Sequence, residues 1–319
     1  MNRRHLLSAA PAALLPLLSA AGAETSPAAP ATPPATPPAT GAGRRRLPIG
    51  ISTYSFWRFK NDDFRPAEKC LERAHEFGFD GVELLQMQLP DTSPAALRAI
   101  KRRAFSLGLP LMGYSTHQGF VSPEPQKRTD NILKTTQFLE EAYDLGIPTM
   151  RVNTGRWGTS KDFDELMKNR GIEPRLEGFS DDEGFKWVID SFARLVPEAE
   201  KRGVIMGLEN HWGLGLTPEG VLRIVNAIDS PWLQVTLDTG NFLEEPYPKL
   251  AQLAPRTVLL QAKTYYGGGE WYTLDLDYQI IADLMRTAGY TGWVSLEYEG
   301  RDDVLPSIQK SLELLRGVF

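Results

Sequence analysis

The sequence has few of the residues that build several common kinds of site. Its 319 residues include a single cysteine, Cys70, and four histidines. One cysteine excludes an internal disulfide and any metal site made of several cysteines. Because Cys70 lies on the apolar face of a predicted helix, we expect it to be inert packing. The formal net charge of −5 gives no general attraction to nucleic acid or to anionic lipid, since both need clustered positive charge.

Two glycine-rich signatures are also missing. No Gly-x-Gly-x-x-Gly follows the first predicted strand, which argues against a dinucleotide-binding open sheet. Residues 267–269 are three glycines, but no helix start follows them, so the sequence does not support a phosphate-binding site.

The N-terminus is typical of an export signal. Arg3 and Arg4 are followed by a moderately apolar run up to Leu18 and by small residues that end at Ala23. This order predicts a twin-arginine type signal peptide over residues 1–23 and a periplasmic or extracellular protein. A retained membrane anchor is the alternative, but two prolines and many alanines weaken it. After cleavage we expect no stable membrane association.

The rest of the chain divides into a linker and one domain. Residues 24–46 are rich in Ala, Thr and Pro and predict a disordered linker. From residue 47 to residue 319, eight short β-rich runs alternate with longer helical patterns, which predicts a single (β/α)8 TIM barrel. The longer segment 156–180 interrupts this alternation and predicts a lid over the barrel mouth.

The expected boundaries follow from the same patterns. Predicted strands cover residues 48–55, 80–85, 109–115, 147–153, 204–209, 233–238, 257–263 and 292–297. Predicted helices include residues 67–77, 93–107, 129–145, 184–202, 218–228 and 278–288.

Four consecutive predicted strands end in a polar side chain that faces the barrel axis. The parity of the apolar residues places Glu209, Asp238, Gln261 and Glu297 inward, at separations of 29, 23 and 36 residues. Active sites of TIM barrels are built at this end of the strands.

Three carboxylates directed into one volume repel each other unless a cation lies among them. The pattern therefore predicts one divalent metal ion held by these four residues. Oxygen ligands favour Mn²⁺, Mg²⁺ or Co²⁺ over Zn²⁺. The alternative is that individual acids pair with Lys263 or Arg151.

These motifs resemble those of the xylose-isomerase-like TIM barrels of sugar phosphate isomerases and epimerases. The resemblance extends from about residue 47 to the C-terminus and rests on Leu-Glu-Asn-His at 208–211, Leu-Asp-Thr-Gly-Asn at 237–241, Gln-Ala-Lys at 261–263 and Ser-Leu-Glu-Tyr-Glu-Gly at 295–300. It implies metal ligands at Glu209, Asp238 and Glu297, with the fourth at Gln261. Many members have histidine at that fourth position, whereas relatives that resemble dehydroshikimate dehydratases have glutamine.

The chemistry that this site implies is proton removal next to a carbonyl, with an enediolate as intermediate. The metal would hold the carbonyl and hydroxyl oxygens and stabilise the enediolate charge, and Glu209 or Glu297 would take the proton. Lys263 would polarise a substrate oxygen or neutralise the enediolate. We therefore expect a metal-dependent isomerase or epimerase that acts on a keto-sugar or sugar derivative. Two alternatives remain open: a lyase acting on a 3-keto-glycoside or a dehydroshikimate-like compound, and a non-catalytic sugar-binding barrel. The resemblance also allows a homo-oligomer.

Seven further side chains near the strand ends are candidates for substrate contact. The polar ones offer hydrogen bonds, and the tryptophans offer flat apolar faces that suit a sugar ring. These residues are His211, His117, Glu83, Arg151, Trp57, Trp157 and Trp212. The alternatives are hydrogen-bonded packing for the histidines, a barrel-interior ion pair for Glu83 and Arg151, and ordinary rim packing for the tryptophans.

Overall fold

Eight parallel strands form a closed barrel in sequence order in the computed structural model, which describes residues 46–319. The strands are β1 (Ile49–Ser52), β2 (Gly81–Leu85), β3 (Leu111–Ser115), β4 (Thr149–Val152), β5 (Ile205–Glu209), β6 (Leu233–Asp238), β7 (Thr257–Thr264) and β8 (Trp293–Tyr298). The predicted TIM barrel is confirmed. The predicted signal peptide, and the predicted linker up to residue 45, lie outside the described residues.

Helices surround this barrel. Within residues 46–319 the α-helices are α1 (Tyr54–Trp57), α2 (Ala67–Phe77), α3 (Pro94–Ser106), α4 (Pro125–Leu145), α5 (Phe163–Lys168), α6 (Asp181–Arg202), α7 (Pro218–Ile228), α8 (Pro246–Leu253), α9 (Tyr278–Thr287) and α10 (Val304–Val318). None of these described helices is long and apolar enough to cross a lipid bilayer.

Most predicted boundaries are close to the observed ones, and the differences have local causes. The first strand ends at Ser52, three residues before the predicted residue 55, because the chain turns into α1 after Thr53. Helix α4 starts at Pro125, before the predicted residue 129, since proline is well accommodated in a first helical turn. Helix α6 starts at Asp181 rather than 184, where Ser180 and Glu183 form a capping box.

The apolar core lies between the barrel and its helices, and β5 shows how the strands divide their side chains. Met206 and Leu208 are fully buried within this core. Glu209 instead accepts hydrogen bonds from side chains of β4 and of the loops that follow β4 and β6. The alternating pattern of the sequence therefore directs polar groups into the barrel mouth.

The predicted lid segment contains the short helix α5 and lies at the same end of the barrel. Leu166 and Met167 pack against Trp212, which follows β5. Trp271, in the loop after β7, donates a hydrogen bond from Nε1 to Asp164 Oδ1 at 3.0 Å. These contacts join the segment to two loops of the barrel mouth.

Candidate active site

A small cavity of about 110 Å³ lies at the C-terminal end of the barrel strands. It is lined by Tyr54, Phe59, Leu85, His117, Arg151, Glu209, His211, Lys263, Glu297 and Glu299. Six of these were predicted as site residues from the sequence, namely His117, Arg151, Glu209, His211, Lys263 and Glu297. The cavity is partly open to solvent at the barrel mouth.

Glu209 is held by three hydrogen-bond donors at the end of β5. Its Oε2 accepts from Arg151 Nη1 at 2.7 Å and from Asn153 Nδ2 at 2.9 Å, and its Oε1 accepts from Asn241 Nδ2 at 3.1 Å. The side chain is 1% exposed. Because a carboxylate offers about four acceptor positions, one position on Oε1 remains available.

The two histidines of the cavity lie close to Arg151. Arg151 Nη2 lies 3.0 Å from His117 Nε2, and since a guanidinium only donates, this nitrogen of His117 is the unprotonated acceptor. The surrounding protein, together with the charge of Arg151, lowers the pKa of His117 and of His211 well below the usual value. Both rings are therefore neutral at pH 7 and offer hydrogen bonds rather than charge to a substrate.

The ammonium of Lys263 lies among oxygen atoms from the ends of β6 and β8 and from the loops that follow them. Its Nζ is 3.0 Å from Asn241 Oδ1, 3.2 Å from Asp238 Oδ2, 3.6 Å from Glu299 Oε1 and 3.9 Å from Glu297 Oε2. Burial lowers the pKa of Lys263, but the surrounding anionic groups outweigh burial and raise this pKa well above its usual value. Lys263 is consequently a permanent positive charge at neutral pH.

Glu83 and Gln261 form a hydrogen-bonded layer one step deeper in the barrel. Glu83 accepts hydrogen bonds from Ser115 Oγ, from Ser295 Oγ at 2.6 Å and from Gln261 Nε2 at 2.9 Å. The same amide nitrogen also donates to Glu297 Oε1 at 3.3 Å. Glu83 therefore supports Gln261 and Glu297 from below and does not line the cavity.

Burial disfavours the anionic forms of Asp238, Glu297 and Glu83 and so raises their pKa values. Burial, opposed by Lys263, raises the pKa of Asp238 to about 6. Burial also raises the pKa of Glu297 well above its usual value, and the charges of Asp238 and Glu83 add to this effect. Burial raises the pKa of Glu83, although two serine hydroxyls partly offset it. The site therefore holds more acidic groups than its two cations neutralise.

This geometry is only partly compatible with the predicted metal centre. One predicted ligand oxygen, Gln261 Oε1, is buried without a hydrogen-bond partner, as a free ligand would be. Another, Asp238 Oδ2, is buried beside the Lys263 ammonium at 3.2 Å. However, Glu209 is committed to Arg151, and the Lys263 ammonium already lies beside Asp238.

Across residues 46–319, no group of three or more His, Cys, Asp or Glu side chains is placed to hold a metal ion. As arranged, these residues do not fit a divalent ion, and the ligand assignment stays a prediction. The structure instead contains the ion pairs with Lys263 and Arg151 that the sequence left open.

The three predicted tryptophans lie away from the cavity wall. Trp57 is buried in α1, with its ring 4.6 Å from that of Phe59. Trp157 packs edge-on against Trp187, and Trp212 packs under α5. Their contact with a substrate stays a prediction.

The aromatic residues that do line the cavity are Tyr54 and Phe59, which the sequence reasoning missed. Tyr54 Oη donates to Glu299 Oε2 at 3.2 Å. The available signal was the cluster of aromatic residues at and just after the end of the first predicted strand.

The chain belongs to the xylose isomerase-like TIM barrel family, whose model matches residues 71–318. It is 27% identical over 227 residues to the 3-oxo-isoapionate decarboxylase of Pectobacterium atrosepticum, with 69% of each chain covered.

Two solved sugar epimerases have similar structures. D-psicose 3-epimerase from Clostridium cellulolyticum H10 gives a TM-score of 0.69 at 18% identity, over 85% of this chain and 99% of that one. The 3-keto-D-glucoside 4-epimerase of E. coli gives a TM-score of 0.66 at 20% identity, over 85% of this chain and 100% of that one. At this level of identity the likeness shows the shared fold.

Proposed function

We propose that this chain is an isomerase or epimerase that moves a proton next to the carbonyl group of a keto-sugar or sugar derivative. The observation that carries the proposal is that two buried carboxylates, Glu209 and Glu297, line one cavity together with the cations Arg151 and Lys263. The similarity to two sugar epimerases, one of which acts on a 3-keto-glucoside, supports a carbohydrate substrate.

In this proposal Glu209 is the base. Its free acceptor position on Oε1 takes the proton from the carbon beside the carbonyl, and the bonding electrons move to the carbonyl oxygen to give an enediolate. The positive charge of Lys263 stabilises this oxygen. Arg151 and the two asparagines keep the Glu209 carboxylate in one orientation, which limits the direction of proton removal.

Glu297 is the proton donor in the same reaction. Burial raises its pKa well above the usual value, so that its protonated form is favoured more than that of an exposed glutamate. Transfer of this proton to the opposite face of the reacting carbon gives an epimer. Transfer to the former carbonyl carbon, with the proton of the adjacent hydroxyl passing to the former carbonyl oxygen, gives an isomer. The outcome depends on how the substrate lies between the two carboxyl groups.

A lyase is the second candidate. Loss of a β-oxygen or of carbon dioxide also passes through a negative charge next to a carbonyl, which the same cations would stabilise. The similarity to a 3-oxo-isoapionate decarboxylase favours keeping this candidate. A non-catalytic sugar-binding barrel would bind sugars without any proton exchange.

Export remains a proposal that rests on residues 1–23 alone. It favours a carbohydrate met outside the cytoplasm over a phosphorylated intermediate. Sequencing the N-terminus of the protein recovered from the periplasm would test both export and cleavage after Ala23.

The function is tested by following carbon-bound protons in D₂O by proton NMR with a panel of keto-sugars and 3-keto-glycosides. We expect exchange with one class of substrate, and the product spectrum separates epimerisation, isomerisation and elimination. Glu209→Gln should abolish the exchange, whereas the control Glu219→Gln, on the exposed face of α7, should leave it unchanged. Exchange that persists at the wild-type rate in Glu209→Gln would contradict the role of Glu209.

A further inference from the structure

A lysine ammonium lies beside two of the four residues that the sequence predicts as metal ligands. Four oxygen atoms surround Lys263 Nζ at 3.0 to 3.9 Å, and they belong to Asp238, Asn241, Glu297 and Glu299. Two of these residues, Asp238 and Glu297, are predicted metal ligands. We propose that Lys263 is the resident cation of this active site and takes the place of a divalent metal.

Hydrogen bonds hold the backbone of Lys263 in place, so its ammonium reaches one position in the barrel mouth. Lys263 lies opposite Glu297 in the register of β7 and β8. Its backbone N–H donates to Thr239 Oγ1 at 3.0 Å, and its carbonyl accepts from Tyr278 Oη at 2.6 Å. The side chain is 8% exposed, which leaves little freedom to turn towards solvent.

Gly240 provides the space through which the lysine side chain passes. A Cβ added at residue 240 would lie 2.6 Å from Lys263 Cδ and 2.9 Å from Lys263 Cβ, and it would also meet Tyr265 Oη. The backbone of Gly240 is outside the left-handed region, so its conformation does not by itself require glycine. The close approach of the lysine and tyrosine side chains requires it.

The remaining predicted acid ligand already has a partner of its own. Glu209 forms a buried ion pair with Arg151, and two asparagine side chains complete its contacts. A divalent ion among Asp238, Glu297 and Gln261 would lie next to the Lys263 ammonium, and like charges in a buried site repel strongly. The Lys263 ammonium therefore opposes the binding of a divalent ion at this position.

The inference is tested by metal content and metal affinity, neither of which needs a known substrate. The wild-type chain is purified without chelator from medium supplemented with Mn²⁺ and Co²⁺, and elemental analysis is expected to find well below one ion per chain. Lys263→Met keeps most of the side-chain length and removes the charge. It should bind Mn²⁺ at least ~10-fold more tightly than the wild type by calorimetry, because one like charge has been removed.

Lys263→Arg is the matched control, since it keeps the positive charge and should remain as poor in metal as the wild type. One tightly held ion per wild-type chain, with no gain in affinity in Lys263→Met, would overturn the inference. Even if Lys263→Met does not fold, measurements on the wild-type protein alone test whether Lys263 takes the place of the metal. Thermal unfolding unchanged by excess Mn²⁺ supports a resident lysine, and a marked increase in the unfolding temperature contradicts it.

The catalytic part of the inference rests on the proposed function, and the two fail in different ways. If no sugar shows proton exchange, the proposed function fails while the metal-binding results still decide the role of Lys263 as resident cation. If exchange occurs in the wild type, is lost in Lys263→Met and partly persists in Lys263→Arg in the presence of chelator, the lysine charge serves the reaction. If chelator stops proton exchange in the wild-type protein, the lysine charge does not replace a metal in the reaction.

Discussion

Gln261 Nε2 donates a hydrogen bond to Glu83 Oε1 at 2.9 Å, although the two residues lie on non-adjacent strands and are 178 positions apart in the chain. The same amide nitrogen reaches Glu297 at 3.3 Å. Glu83 thereby fixes the orientation of the Gln261 amide, and the amide in turn supports the proposed proton donor. Gln261, a predicted metal ligand, and Glu83, a predicted substrate contact, thus belong to one internal hydrogen-bond network.

Glu83 is expected to act as a positioning residue. Glu83→Ala removes the acceptor of three buried donors and leaves a cavity, so it should lower the free energy of unfolding by about 2–4 kcal/mol in urea titrations. Glu83→Gln keeps the shape and should cost less than about 1 kcal/mol, because the amide oxygen can accept from Ser115 and Gln261 while the Ser295 hydroxyl turns to accept from the amide nitrogen. Equal losses in the two variants would contradict this account.

Glu83→Gln should also change the pH dependence of proton exchange. Burial is the main cause of the raised pKa of Glu297, and the charge of Glu83 adds to it. Without that charge the pKa of Glu297 falls, and the proton donor is lost at a lower pH. The alkaline limb of the exchange rate should therefore move to lower pH, and an unmoved limb would argue against Glu297 as the donor.

Arg151 is expected to be essential for the stability of the barrel mouth. Arg151→Met leaves Glu209 buried and without its cation, and breaking a buried pair in this way costs about 3–5 kcal/mol. Urea unfolding measures the loss. The control Arg223→Met removes an ion pair with Asp182 in which the side chains are 46% and 82% exposed, and it should change the free energy of unfolding by less than about 1 kcal/mol.

The arrangement of the strands was predictable because it depends on residue spacing. Alternating apolar positions and the distances between Glu209, Asp238, Gln261 and Glu297 were enough to place these side chains at one end of a barrel, where the structure has them. What surrounds each acid was not predictable in this way. Whether Lys263 reaches Asp238 depends on a long side chain and on the space left by Gly240, and neither is visible in a pattern of apolar residues.

The conformation of the loop after β1 is a second feature that the sequence does not predict. Arg58 and Phe59 adopt φ values of 51° and 59°, a left-handed conformation that residue propensities do not predict for side chains of this kind. This turn lets Phe59 line the cavity, whereas Trp57, the last residue of α1, is buried. The sequence indicated an aromatic residue at this place but not which one.

The stability of the chain in the presence of chelator should depend on Asp238 in weakly acidic solution. Its pKa rises from 3.8 to about 6 on folding, so the folded state favours the protonated form. This contribution to stability is fully present below about pH 4 and is lost as the pH rises to about 6. The free energy of unfolding of the wild type relative to Asp238→Asn should therefore fall across this range. A difference that rises with pH would contradict the direction of the shift.

The contact between Trp271 and the α5 segment is expected to control opening of the barrel mouth. Trp271→Ala removes the hydrogen bond to Asp164 and the edge-on contact with Phe163, whose ring centroid is 4.9 Å away. Together these contacts are worth about 1–2 kcal/mol, so backbone amides of residues 163–168 should exchange hydrogen roughly tenfold faster. Mass spectrometry of the exchanged peptides measures this change.

Two variants separate this contact from general effects of losing an exposed aromatic ring. Phe105→Ala, at a side chain on α3 that is 86% exposed, should leave exchange at residues 163–168 unchanged. Trp271→Phe keeps a ring against Phe163 but loses the N–H donor, and it should give an intermediate rate. If Trp271→Ala exchanges no faster than the wild type, the buried contacts of Leu166 and Met167 with Trp212 hold the segment closed by themselves, and substrate entry must open elsewhere.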